Sequence, residues 1–152
     1  MKLKIEISPG CEEEIVIRAP EMNGRIYRLQ SAIESALERS DALALYDAGK
    51  EYYIPYGQII FFEANAGRVF AHTDKAFYLC PLSLSDLCET LPRTFVRASK
   101  SCLINTAAVY SITRSPTGVG EAEFVSTKKK AYISRMYYKT VRETIMETRL
   151  KK

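Results

Sequence analysis

The N-terminal segment begins with alternating apolar and charged residues. Leu3, Ile5 and Ile7 follow the period of two that is typical of a half-buried strand. The Pro-Gly pair at residues 9–10 interrupts this strand, and the Ile-Val-Ile run at residues 15–17 supplies a second one. The segment is therefore predicted to form a β-hairpin.

An amphipathic helix is predicted after Pro20. Apolar residues recur every three or four positions between residues 21 and 39, which is the period of a helix with one buried face. They are Met22, Ile26, Leu29, Ile33 and Leu37. This face is expected to pack on a sheet, with self-association through it as the alternative.

The pattern changes near Asp41, where short apolar runs separated by turn residues replace the helical period. Such runs are typical of strands in antiparallel sheets. Strands are predicted at residues 43–46, 52–54, 59–62, 69–73, 77–80, 94–96, 102–104, 109–113, 122–125 and 131–133. We therefore expect two domains, an N-terminal hairpin-and-helix unit at 1–41 and a β-rich domain at 42–152.

Two further helices are predicted within the β-rich domain. Ser83 followed by Asp86 forms a capping-box start for a short helix, which Pro92 ends. The final helix runs from about Arg135 to Arg149. The predicted fold class is mainly β within the α+β class, with antiparallel sheets, one short internal helix and a C-terminal helix.

Charge is distributed unevenly along the 152 residues. Residues 1–65 contain 7 Lys and Arg against 11 Asp and Glu, whereas residues 66–152 contain 15 against 7, so the net charges are −4 and +8. Between Arg93 and Arg142 there are ten basic residues and two acidic ones. A basic field confined to one half indicates an anionic partner for that half, with nucleic acid as the leading candidate.

Several function classes lack their sequence signatures. No apolar run approaches the roughly 20 residues of a membrane span, and the N-terminus lacks the apolar core of a secretory signal, so we expect a cytoplasmic protein. The four cysteines include no Cys-x-x-Cys pair, and His72 is the one histidine, which argues against zinc and disulfide scaffolds. Phosphate-binding and nucleophile-elbow motifs are absent. We therefore expect no catalysis, cofactor, metal or small-molecule substrate.

A polar cluster between two apolar anchors is the most informative segment. Phe95 and Ile104 bracket the sequence Val-Arg-Ala-Ser-Lys-Ser-Cys-Leu, in which cationic and hydroxyl side chains alternate. Such donors bind phosphates and base edges. A lysine triplet follows about thirty residues later, at residues 128–130, and Arg135 comes shortly after it. Both segments follow short predicted strands, at residues 122–125 and 131–133.

These segments resemble the LytTR-type DNA-binding domain of bacterial transcription regulators. The resemblance runs from about Leu43 to Leu150 and consists of four blocks in the family's order. The blocks are Gly57–Ala64 like "I-x-Y-I-E-A", Leu82–Pro92 like "S-L-x-x-L-E-x-x-L-P", Phe95–Asn105 like "F-x-R-x-H-R-S-x-I-V-N", and Tyr132–Tyr138 like "V-S-R-x-Y".

The resemblance implies an elongated fold of antiparallel β-sheets that inserts loops, and not a recognition helix, into successive major grooves. This chain departs from the family at Ser99, where histidine is common, and has Gly67 in the first contact loop. The residues expected to contact DNA are Asn65, Arg68, Arg97, Lys100, Ser101, Asn105, Lys128, Lys129, Lys130, Arg135 and Lys139.

Roles within this set combine the family resemblance with side-chain chemistry. Lys100 and Arg135 are expected to reach base edges, because cationic side chains at guanine O6 and N7 are the commonest specific contact. Arg97, Ser101 and the 128–130 turn are expected to bind phosphate. Asn105 has two open roles, which are DNA contact and support of the loop through backbone hydrogen bonds.

The implied partners are double-stranded DNA and a second copy of the chain, because family members commonly recognise paired direct-repeat half-sites. Stand-alone members are often controlled by a companion integral membrane protein. Where other members carry a phosphorylated receiver domain, this chain has residues 1–41, so these residues are expected to mediate dimerisation or such a restraint.

Two other functions are open at this point. The first is a protein-interaction module whose basic loops bind an acidic protein partner. The second is a small enzyme that uses Cys80 or Cys102 with His72.

Overall fold

The computed structural model describes residues 1–150, with the backbone alone at residues 35, 38–40 and 150. The chain divides into two units, with the division between Leu37 and Glu38. Lys151 and Lys152, the end of the predicted second domain, lie outside the described residues. Within the described part, no helix is long and apolar enough to cross a membrane.

The first unit contains a helix but not the predicted hairpin. Helix α1 spans Gly24–Ser40, and Asn23 Oδ1 caps it by accepting from the backbone N–H groups of Arg25 and Ile26, both at 3.1 Å. Residues 1–23 include no strand, so the predicted β-hairpin is wrong. A two-stranded hairpin needs a further strand or helix to cover its apolar face. Here Leu3 and Ile7 are 92% and 91% exposed.

The second unit contains two antiparallel sheets. The larger sheet has the strand order β2-β1-β5-β4-β3-β7-β6, and the smaller has the order β10-β9-β8. The strands are β1 Ala42–Asp47, β2 Lys50–Pro55, β3 Phe61–Asn65, β4 Arg68–His72, β5 Phe77–Cys80, β6 Phe95–Ser99, β7 Cys102–Asn105, β8 Val109–Arg114, β9 Gly120–Phe124 and β10 Lys130–Ile133. The predicted mainly β, antiparallel α+β fold is confirmed.

Two helices belong to this second unit. Helix α2 spans Leu84–Thr90 and helix α3 spans Arg135–Leu150. Ser83 Oγ accepts from the Asp86 N–H at 3.1 Å, and the Asp86 carboxylate accepts from the Ser83 N–H at 3.4 Å. The predicted capping box is therefore present, and it satisfies N–H groups at the start of a helix of seven residues.

Two hydrophobic cores lie on opposite faces of the larger sheet. Successive strand residues point to opposite faces, so Phe61 and Phe62 enter different cores. The Phe62 core is closed by Leu84 and Leu87 of α2. The Phe61 core contains residues of the smaller sheet together with Val141 of α3. Because both faces are covered at β3 and β7, the apolar run at residues 59–62 is fully buried, as its composition predicts.

Candidate nucleic-acid interface

The turn between β6 and β7 carries Lys100 at its exposed apex. Arg97 Nη1 donates to the Lys100 carbonyl oxygen at 2.7 Å, so this guanidinium closes the turn. Ser99 Oγ accepts from the Ser101 N–H at 3.2 Å and stabilises the same turn. Lys100 and Ser101 are left exposed. The position where the family commonly has histidine is thus used here to hold the backbone that presents Lys100.

A β-bulge brings the start of α3 to this turn. The β6–β7 register shifts between Arg97 and Ser99, so Ala98 is the extra residue of the bulge. The Ala98 carbonyl accepts from the Ser134 N–H at 2.8 Å. Arg135, the first residue of α3, is therefore placed beside the strand that leads to Lys100. The segments that carry Arg97, Lys100 and Arg135 are brought together and are not on opposite sides of the unit.

The β3–β4 hairpin lies next to the β6–β7 turn. Its two central residues, Ala66 and Gly67, have φ angles of 51° and 77°, which are the left-handed values of a type I′ turn. Asn65 and Arg68 flank this turn and are exposed. The Ala64 N–H donates to the Ser101 carbonyl at 2.8 Å and joins the two tips directly. Gly67 thus satisfies the turn geometry, which leaves the flanking side chains to contact a ligand.

Arg114, at the end of β8, is a cation that the sequence interpretation missed. The register pairs Arg114 with Gly120, and Gly120 with Ile133, so Arg114 lies at the end of the small sheet where α3 begins. The sequence predicts a strand that ends at residue 113, one position before Arg114. The signal that it belongs to the site is the strand register, which a single sequence does not give.

We define the basic tip as residues 64–68, 97–102, 113–119 and 134–136. It contains five cationic residues and no Asp or Glu. They are Arg68, Arg97, Lys100, Arg114 and Arg135. Clustered cationic side chains repel one another, and a bound anion offsets this repulsion. The basic tip therefore has the electrostatics of a polyanion-binding surface.

Residues 128–130 form the lysine turn, which lies at the end of the strands opposite the basic tip. Thr127 Oγ1 donates to the Asp74 carbonyl at 3.0 Å, which places this turn against the β4–β5 turn. Arg68 and His72 mark the two ends of β4, and four residue steps of about 3.3 Å separate them by roughly 13 Å. Residues 128–130 are therefore about one strand length away from the basic tip.

Two of these three lysines have partners in the second unit. Lys129 Nζ donates to the carbonyl oxygens of Thr73 and Ala76 at 2.9 and 2.7 Å, and burial lowers the pKa of its amine. Lys130 pairs with Glu121 and Glu123 at 3.1 and 3.7 Å. Lys128 alone of the three is exposed without an ion pair among the described residues. The expectation that all three bind phosphate remains a prediction, and the backbone contacts of Lys129 and the ion pairs of Lys130 compete with phosphate binding.

Asn105 and Lys139 also differ from the expected DNA contacts. Asn105 is 3% exposed, its Nδ2 donates to the Ile59 carbonyl at 2.9 Å, and its Oδ1 accepts from the Ala107 N–H at 3.1 Å. Of its two open roles, these contacts support the structural one. Lys139 is exposed on α3, with Glu143 one helical turn away at 3.9 Å. Such a surface pair leaves the lysine available to a stronger anion.

His72 and the buried thiols lack the features of a catalytic pair. The imidazole stacks on Phe61 with 4.3 Å between ring centroids, and burial together with the Lys129 charge lowers its pKa to about 4. Glu63 Oε2 lies 3.3 Å from His72 Nε2, but this carboxylate is half exposed and solvent screens its charge. Burial raises the pKa of Cys102 to about 12 and also raises the pKa of Cys80. A thiol with a raised pKa is a poor nucleophile at neutral pH.

Comparison with known families agrees with this geometry. The model of the family described as the LytTr DNA-binding domain matches residues 49–146, which include every segment of the basic tip. The chain belongs to the LytTr DNA-binding domain family. The family resemblance drawn from the four sequence blocks is therefore confirmed.

Relatives and solved structures extend the comparison. Two Staphylococcus aureus proteins, from strains NCTC 8325 and MRSA252, are 28% and 27% identical over 146 residues, covering 95% of this chain and 98% of each relative. Both are named as uncharacterized HTH-type transcriptional regulators. A solved LytTr DNA-binding domain of a Bacillus cereus methyl-accepting/DNA response regulator has 15% identity and a TM-score of 0.64. It covers 69% of this chain and 96% of its own, and it shows the same fold.

Replacing Asn105 with alanine is expected to destabilise this LytTr domain. The substitution leaves the buried Ile59 carbonyl and the half-buried Ala107 N–H without their side-chain partners, which costs about 1–3 kcal/mol. Urea unfolding measures the loss. Asn65→Ala is the matched control because Asn65 is exposed, and it is expected to change the unfolding free energy by less than about 0.5 kcal/mol. Equal stabilities for the two variants would contradict the structural role of Asn105.

The lowered pKa of His72 predicts a loss of stability in mild acid. The unfolded imidazole has a pKa of 6.5 and the folded one about 4, so between these values the unfolded state binds a proton that the native state excludes. This contribution lowers the unfolding free energy by about 1–2 kcal/mol at pH 5 relative to pH 7.5. Denaturant titration of wild type and His72→Gln at both pH values measures the unfolding free energies. The difference between the two proteins isolates the contribution of His72 protonation. Parallel pH profiles for the two proteins would show that His72 is not responsible.

Proposed function

We propose that this LytTr-family chain is a sequence-specific transcription regulator whose basic tip enters the major groove of double-stranded DNA. The observation that carries the proposal is the basic tip itself, with five cationic side chains on four neighbouring segments and no carboxylate. A major groove about 12 Å wide admits a two-stranded β-ribbon, and the β3–β4 and β6–β7 tips are ribbons of this kind. The transcriptional-regulator names of the relatives support the same function.

Different members of the basic tip have different roles in this proposal. Lys100, exposed at a turn apex, and Arg135, at the start of α3, contact base edges. The phosphates on either side are contacted by Asn65 and Arg68 of the β3–β4 hairpin tip and by Ser101. Arg97 supports Lys100 through its hydrogen bond to the turn carbonyl. Lys139 and Lys128, outside the basic tip, add a general attraction to the duplex.

Two copies of the chain act at each promoter, on direct-repeat half-sites in the bacterial cytoplasm. The N-terminal unit supplies the contact between copies or with a companion integral membrane regulator. Large apolar side chains of this unit support such a contact, because Ile15 and Leu3 are 61% and 92% exposed. Deletion of residues 1–37, followed by measurement of promoter occupancy, separates this role from DNA contact.

The alternative partner is an acidic protein that binds the same basic tip. Attraction to a duplex releases condensed counterions, so binding to random duplex DNA is expected to weaken steeply as salt is raised. An acidic protein partner requires no affinity for DNA. Indifference to duplex DNA at low salt would therefore favour the alternative over the proposed function.

Selection from a random duplex pool is expected to return a pair of direct repeats. Since both copies approach one face of the duplex, footprinting should place the half-sites about one helical turn of 10–10.5 base pairs apart, or a multiple of it. Titration is expected to give two protomers per duplex. Recovery of sequences without any common motif would contradict sequence-specific binding.

Lys100→Ala is expected to weaken binding to the selected site by about 1–3 kcal/mol, which is roughly 5- to 150-fold. Lys75→Ala is the matched control, because Lys75 is also an exposed turn lysine but lies between β4 and β5, at the far end of the sheet. Fluorescence anisotropy with labelled duplex measures both. Equal losses would indicate a general charge effect and contradict the assignment of Lys100 to a base edge.

A further inference from the structure

The loop between β8 and β9 makes a close approach to the Arg135 side chain. A Cβ atom placed on Gly118 would lie 2.8 Å from Arg135 Cδ and 2.9 Å from Cγ. Real Cβ atoms essentially never approach other heavy atoms within 3.0 Å. Gly118 also has a φ of 90°, which L side chains rarely adopt. The absence of a side chain at residue 118 is what allows the aliphatic stem of Arg135 to lie on this loop.

The loop that supports Arg135 is closed by its own hydrogen bonds. The Ser115 N–H donates to the Val119 carbonyl, and the Gly118 N–H donates to the Ser115 carbonyl, both at 2.9 Å. The hydroxyls of Ser115 and Thr117 are 2.7 Å apart. These bonds fix the backbone of the loop, so its surface is a firm support for a neighbouring side chain.

Arg114 also lies close to Gly118. Its Cζ lies 4.7 Å from the centre of the Tyr138 ring, one helical turn from Arg135, and this cation–π contact anchors the guanidinium. Arg114 Nη2 is also 3.7 Å from the position that a Gly118 Cβ would take. Two cationic side chains therefore lie close to one glycine, and repulsion between them limits the directions that the Arg135 guanidinium can take.

We propose that Gly118 and Arg114 form an arginine cradle that positions Arg135 and thereby sets its specificity for one base pair. The proposal rests on the proposed function, in which Arg135 contacts a base edge. Gly118 supports the stem, Arg114 restricts the guanidinium, and the Ser134–Ala98 hydrogen bond fixes the start of α3. In this arrangement Gly118 and Arg114 are positioning residues.

The cradle has a consequence for discrimination between DNA sequences. A free arginine side chain loses about 2 kcal/mol of rotamer freedom when it is fixed on a base. A side chain that is already ordered avoids part of this cost and meets the correct base in one geometry. A displaced arginine still attracts phosphate, so loss of the cradle reduces specificity more than it reduces non-specific binding.

Gly118→Ala tests the cradle without changing any charge. The added methyl group is expected to displace the flexible Arg135 stem and to reduce discrimination between the selected site and a site with one altered base pair by roughly tenfold. Gly49→Ala is the matched control. Gly49 has a similar left-handed φ of 78° but nothing within 4 Å of its Cβ position, and it lies in the β1–β2 turn. Discrimination by Gly49→Ala is expected to equal that of wild type.

Arg114→Lys provides a second test that keeps the net charge. Lysine lacks the planar guanidinium that stacks on Tyr138, so this variant is expected to lose more discrimination between the two sites than affinity for random duplex. If Gly118→Ala fails to fold, discrimination by Arg114→Lys still tests whether the cradle positions Arg135.

Arg135→Ala separates failure of the cradle from failure of the proposed function. If Arg135→Ala loses discrimination but Gly118→Ala and Arg114→Lys keep it, the cradle is overturned and base contact by Arg135 stands. If Arg135→Ala keeps full discrimination, Arg135 does not contact a base and both assignments fail. Loss of discrimination in all three variants, with Gly49→Ala unaffected, supports the cradle.

Discussion

The β-bulge at Ala98 controls how the two sheets of the second unit meet. The register shift around this residue frees its carbonyl from the β6–β7 ladder, and the carbonyl accepts instead from the Ser134 N–H at 2.8 Å. This bond ties β6 of the larger sheet to the junction of β10 and α3. Ala98 is fully buried, so a larger side chain would separate the sheets. The relative placement of Lys100 and Arg135 depends on this single irregularity.

Much of the second unit could be predicted because its periodicity reflects real burial. The run at residues 59–62 is apolar on both faces, and both faces are covered in the structure. The same argument failed at residues 1–23, where Leu3 and Ile7 are highly exposed and no strand forms. Alternation of apolar and polar residues indicates that one face of an extended segment is apolar. It does not supply the second layer that a strand needs for stability.

The site was harder to predict, since a sequence counts charges without showing their partners. Lys129 donates to carbonyl oxygens more than fifty residues away, and Lys130 faces carboxylates on β9. Both contacts depend on tertiary structure. Arg114 was missed for the converse reason, because it lies beyond the predicted strand 109–113 and only the strand register brings it to the start of α3. The residues at 97–101 stay together in the structure because a single tight turn contains them, and their contact with DNA remains a prediction.

The way this fold presents cations differs from that of a recognition helix. The relatives are named as HTH-type regulators, yet α2 and α3 of this unit are separated by five strands, and Leu84 and Leu87 of α2 are buried against the larger sheet. A recognition helix fixes its side chains by the rigidity of one element. Turns at strand tips lack the internal hydrogen bonds that make a helix rigid, so they need support from neighbouring segments. Turn hydrogen bonds at Lys100 and the glycine contact at Arg135 supply that support, so the exposed cations of the basic tip rest on fixed backbone.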